Sequence, residues 1–177
     1  MASFLTFVGC SKQPTPAPLE AKVLDLANTT EIALKAFTAI MDAHVKGQNY
    51  NSYLESLPKS WRIVYTSISF DGEVNNGGFH QFFWNSEGKW NKETEEDLEK
   101  IGAEPFLKLF REARKIYDAH DYPTEKAKSG GSWETFTVGY KEKRMGELDS
   151  LYFKEKKSLP SFVGEYLKRN RLLYERK

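Results

Sequence analysis

A carboxylate, an imidazole, amides and an indole crowd into one stretch, Glu73-Val74-Asn75-Asn76-Gly77-Gly78-Phe79-His80-Gln81-Phe82-Phe83-Trp84-Asn85-Ser86-Glu87-Gly88. Gathered around a turn, Glu73, His80, Gln81 and Trp84 have the chemistry to hold a small polar group or a peptide. Glu73 with His80 could also serve as the acid and base of a pocket enzyme. Glu73 paired with Glu87, or either with Asp71, would suit a glycosidase only if their separation were right, and the sequence does not fix it. Zinc would need closely spaced ligands, whereas His44, His80 and His120 lie 36 and 40 residues apart. The chain has one cysteine, Cys10, so it can form neither an internal disulfide nor a thiolate cluster. Gly-x-Ser-x-Gly, dinucleotide and P-loop patterns do not occur, and Ser129-Gly130-Gly131-Ser132 lacks the lysine and spacing of a phosphate loop. No cofactor is expected.

The elements that must position these groups read as helices. Asn28 with Glu31 offers an N-cap, and Ile32, Ala36, Phe37, Ile40, Met41, His44 and Val45 follow at helical spacing up to Gly47. Trp61, Val64, Tyr65, Ile68 and Ser69 form the inward stripe of another helix, which Asp71-Gly72 would end or bend. Gly77-Gly78 then break the chain, and Phe79, Phe82 and Phe83 resume helical spacing into a core. Asn75, Asn76 and Asn85 are suited to capping helix ends there, as are Asn91 or Thr94 further on.

Beyond Gly102 a strongly amphipathic helix carries Phe106, Leu107, Leu109, Phe110, Ala113, Ile116 and Tyr117. Residues 121 to 137 read as the longest internal loop, and 133 to 140 as the best of few strand-like runs. Helices over Tyr140 to Tyr152 and from Pro160 close the chain. The expectation is one all-α domain of six to eight helices over residues 19–177, after a disordered N-terminal segment over 1–18. At 177 residues and 40% hydrophobic content the chain can bury its own core.

The central block, with Glu73, Asn76, Gly77, Gly78, Phe79, Gln81, Phe82, Phe83 and Asn85 in the characteristic places, resembles the bacterial DNA-mimic protein family. Leu98, Ile101, Gly102 and Ala103 are similar to its following helix. Leu148-Asp149 and Tyr166-Leu167-Lys168-Arg169-Asn170 are similar to its closing segments. The resemblance covers roughly residues 45 to 174 and implies an α-helical fold with a protein-binding role and no chemistry.

Charge sets the terms of that role. Duplex DNA carries one negative charge per about 1.7 Å, and a chain at formal charge +1 cannot imitate it over its whole surface. Direct nucleic-acid binding is not expected either. The one dense acidic run, Glu93, Glu95, Glu96, Asp97 and Glu99, has two readings: a short phosphate imitation facing a basic partner, or the solvated first turns of a helix. At the N-terminus, Ala2 to Gly9 is apolar and ends in a small residue before Cys10, and Pro14, Pro16 and Pro18 follow. That arrangement resembles a bacterial lipobox and its tether, with Cys10 as the lipidated residue and the only membrane contact.

The leading expectation is a non-enzymatic macromolecule-binding module, lipid-anchored in the cell envelope. It would meet an unidentified protein partner through Glu73, Asn76, His80, Gln81, Trp84 and Asn85, or through the acidic run. One alternative is a cytoplasmic DNA-mimic-like regulator that occupies a DNA-binding protein; another is an enzyme built on Glu73 and His80.

Overall fold

A computed structural model describes residues 15–45, 47–120, 126–139 and 141–176. The regular structure of the described residues is helical, apart from a single bridge between Leu19 and Glu175. In chain order the helices are α1 (Ala21–Leu24), α2 (Thr29–Ala43), α3 (Tyr50–Ser56), α4 (Lys59–Ser86), α5 (Asn91–Ile101) and α6 (Glu104–Ala119). After them come α7 (Trp133–Gly139), α8 (Lys143–Tyr152), α9 (Leu159–Arg169) and a 3-10 turn at Arg171–Leu173. The fold is all-α, as expected, and short pieces such as the four-residue α1 take the number of elements above the eight foreseen.

α4 is the spine, packed by α2, α5, α8 and α9, with α6 spanning α5 and α8. Its length comes from Gly72, which stays helical, so Asp71-Gly72 neither ends nor bends the helix. The break is at Gly77 and Gly78, where the backbone leaves helical geometry and the second half resumes at Phe79. Rings from both halves then meet in one core. Phe70 packs against Phe79, Phe82, Phe110 and Tyr152 with centroids 5.0–6.0 Å apart, largely edge to face, and Phe83 stacks on Tyr117 at 4.6 Å.

Helix ends follow local chemistry where the cap is local. Asn28 accepts from the Glu31 N–H, and Gly102 ends α5 in the left-handed region, both as expected. α5 starts without a side-chain cap: Asn91 is its first residue and Thr94 lies within its first turn, so neither caps it. α2 stops at Ala43, leaving Val45 beyond the helix and exposed, because His44 turns to extended backbone. The 133–139 run is helix α7 rather than loop or strand, which shortens the predicted loop.

The two ends of the described chain are tied together. The Leu19 N–H donates to the Tyr174 carbonyl at 2.7 Å, and the Arg176 N–H to the Leu19 carbonyl at 2.9 Å. Arg171 bridges Asp25 and Glu175, both at 2.6 Å. No described helix is long and apolar enough to cross a membrane. Cys10, Lys12 and Pro14 lie outside the described residues.

Candidate functional site

The polar residues of the Glu73–Gly88 block form a clasp across the broken helix. Glu73 comes from the first half of α4, and its Oε2 accepts from Gln81 Nε2 at 2.7 Å and Asn85 Nδ2 at 2.8 Å, both in the second half. Asn76, just before the break, donates to Gln81 Oε1 at 3.0 Å. The spacing of these residues is thus explained by the kink: a straight helix would separate Glu73 and Asn85 by three turns. Asn75 instead donates back to the Asp71 carbonyl, so the three asparagines do not cap the new helix end.

That end is capped from far away. The Phe79 N–H donates to Asp149 Oδ1 on α8 at 2.8 Å, placing a carboxylate at the positive end of the second half-helix. Burial raises the Asp149 carboxyl above its ordinary value, and the bond from Phe79 opposes that shift. Gly78 permits the approach, since it has φ 73° and its absent Cβ would overlap the Asp149 carboxyl group. Beside it, Tyr152 Oη donates to Asp71 Oδ1 at 2.7 Å, and burial raises the Asp71 carboxyl too.

The family model described as DMP19-like protein matches residues 55–170. The chain belongs to the DMP19-like protein family. No curated protein and no solved structure matches it. The matched DMP19-like region contains the clasp, the Gly77-Gly78 break and the distant Asp149 cap, and it agrees with the resemblance drawn from the motif.

Within the DMP19-like region the predicted site residues divide by accessibility. Asn76 and Asn85 are exposed, and Glu73 and Gln81 are half-buried. His80 and Trp84 are buried, at 2% and 8% exposure. Their packing gives the reason: His80 Nε2 donates to the Phe136 carbonyl at 2.7 Å and its ring lies 5.0 Å from the Phe136 ring. Burial lowers the His80 pKa, so the ring is neutral at pH 7. These two residues hold α7 over the kink and present little surface to a partner. In exchange α7 offers Trp133, 70% exposed and packed on Phe136 at 5.2 Å.

Two concavities flank the clasp. A shallow groove on the α7 side is lined by Asn76, Gln81, Trp84, Asn85, Gly131, Trp133 and Phe136. A tighter cleft of about 150 Å³ on the α5 side is lined by Tyr65, Thr66, Ser69, Glu73, Phe82, Asn85, Ser86, Trp90 and Thr94. Neither is lined by both Glu73 and His80. The other acid pairs considered above are also apart in function: Asp71 bonds Tyr152, and Glu87 pairs with Lys126 at 2.7 Å. Among the described residues no group of three or more His, Cys, Asp and Glu is placed to hold a metal. His44 bonds the Gln48 carbonyl and His120 stands 3.7 Å from Glu142.

The acidic run does not form one exposed patch. Asp97 faces inward at 5% exposure, accepting from the Thr66 hydroxyl, and burial pushes its pKa up to about 6. Its place among carboxylates in sequence concealed this, although Thr94, Asp97, Leu98 and Ile101 share the helical phase of the buried side. Glu95 is held by Arg111 and Arg114, each at 2.8 Å, and those guanidinium groups lower its pKa. Glu96 lies 3.8 Å from Lys92 and Glu99 lies 3.9 Å from Arg111, which leaves Glu93, beside the inward-facing Asp97, without an ion pair among the described residues.

Proposed function

We propose that this chain is a non-enzymatic protein-binding module whose contact surface is the groove between the clasp and α7. The observation that carries this reading is the DMP19-like match across residues 55–170, the region that contains the groove. The groove supplies features of a protein contact. Trp133 is a large exposed ring of the kind that anchors interfaces, and the Asn76 and Asn85 side chains stand beside it at the rim.

Occupation of a DNA-binding protein in place of DNA is the second reading, and the family supports it. A partner of that kind would have to meet isolated carboxylates such as Glu93, because Arg111 and Arg114 neutralise much of α5 and Lys126 pairs with Glu87. Lipid attachment at Cys10 belongs to the same proposal, as the means by which the module would be held at a membrane. Intact mass of the chain from a membrane fraction, against a Cys10→Ser variant, tests that part.

The test of function uses the full chain as bait and compares capture in the presence and absence of excess duplex DNA. A partner retained in both conditions supports the protein-binding reading, and one displaced by DNA supports mimicry. A bait that captures no protein, or that itself binds the duplex, contradicts the proposal.

A further inference from the structure

We propose that the cleft between α4 and α5 is a receptor for a single ammonium or guanidinium group, with Glu73 as its counter-ion. Glu73 is the carboxylate in the lining of this cleft. Its Oε2 is satisfied by two neutral amides, Gln81 and Asn85, and among the described residues no Lys, Arg or His forms an ion pair with it. Neutral donors orient a carboxylate but leave its charge in place, and a cation entering the half-enclosed cleft would be attracted more strongly than in bulk water.

The opposite wall asks for a partner as well. Thr94 is 1% exposed, lines the cleft, and its hydroxyl has no hydrogen-bond partner among the described residues. A buried hydroxyl left in that state is destabilising, and a ligand that bonds it recovers the loss. Thr66, also on the wall, has its proton committed to acceptors below it, Asp97 and the Arg62 and Ile63 carbonyls. With that proton committed, the hydroxyl can meet an arriving group only as an acceptor, a role that a cationic donor satisfies. The Phe82 and Trp90 rings complete the lining, and the Lys89 ammonium stands 5.2 Å from the Trp90 ring centroid.

Size narrows the ligand further. A volume of about 150 Å³ is room for about five waters, or for one guanidinium or ammonium with a short stem. Two sources carry that chemistry: the tip of an arginine or lysine on a protein, and a free small amine or guanidine. The inference does not rest on the protein-binding reading, since the cleft is a different surface from the α7 groove.

The experiment titrates the isotopically labelled full chain with methylguanidinium, with arginine blocked at both ends, and with methylurea as the uncharged analogue, following the Trp90 indole and Thr94 amide signals. Saturable shifts are expected with methylguanidinium and none with methylurea. Glu73→Gln, which keeps an amide oxygen for the clasp, and Thr94→Val should each weaken binding by about tenfold. Blocked arginine binding as tightly as methylguanidinium assigns the cleft to a protein side chain; binding of the free ion alone assigns it to a small molecule. Absence of saturation with either cation up to about 50 mM, equal response to methylurea, or unchanged affinity in both variants overturns the proposal. Thermal melts identify a variant that fails to fold, in which case the other variant decides.

Discussion

Replacing Gly78 by alanine tests the kink directly, because two separate penalties meet at that position. Gly78 has φ 73° and ψ −178°, a conformation that only glycine adopts readily and that costs a residue with a Cβ about 1–3 kcal/mol. The new Cβ would stand 2.7 Å from Asp149 Cγ and 2.8 Å from its Oδ1, so the carboxylate must move away from the Phe79 N–H. Loss of a helix cap costs about 1 kcal/mol, which brings the total to about 2–4 kcal/mol. For a chain of this length that is a fall in melting temperature of about 5–15 °C. Urea unfolding followed by far-UV circular dichroism measures it. Gly72→Ala is the internal control: it sits in the same helix with helical backbone and open space where the Cβ would go. That substitution should stabilise by about 0.5–1 kcal/mol. Equal effects of the two substitutions, or a loss at Gly78 below about 1 kcal/mol, would refute the reasoning.

Other outcomes follow from the same contacts. Asp97 has a folded-state pKa raised from 3.8 to about 6, so its contribution to stability is complete below the lower value and lost as pH rises through the upper one. Asp97→Asn, which keeps an acceptor for Thr66, should be more stable than wild type by up to about 3 kcal/mol at pH 7.5 and lose that advantage toward pH 4; parallel stability curves would contradict this. Contributions from His80, Asp71 and Asp149 are common to both chains and cancel in the difference. Gly164→Ala on α9 would bring a Cβ to 2.6 Å from the Thr29 carbonyl carbon on α2, and should lower stability in thermal melts by about 3 kcal/mol. In a double-mutant cycle, Glu73→Ala and Gln81→Ala should show a coupling energy of about 1 kcal/mol; additivity would mean that the 2.7 Å bond contributes nothing.

The local part of this structure was legible in the sequence, and the non-local part was not. The period of Phe79, Phe82 and Phe83 and the paired glycines before them announced a break followed by a core helix, because both signals are carried by neighbouring residues. The Asp149 cap had no such signal: donor and acceptor are 70 residues apart, and a carboxylate on an amphipathic helix resembles any solvated one. Asp97 was hidden the same way, as one of five carboxylates between residues 93 and 99, and only the phase set by Leu98 and Ile101 turns it inward. His80 and Trp84 have the chemistry of a contact site, yet α7 covers them. Its strand-like sequence gave no hint that it would fold as a helix over the motif.

Site-specific photo-crosslinking bears most directly on the claim that the motif face is a protein contact surface. A photoreactive residue at Asn76, exposed at the rim of the groove, is compared in cells with one at Leu34, exposed on α2. Position 76 should form a defined crosslink to one protein, Trp133→Ala should reduce it, and position 34 should give none to that protein. No crosslink from position 76, or the same product from both positions, would contradict that claim.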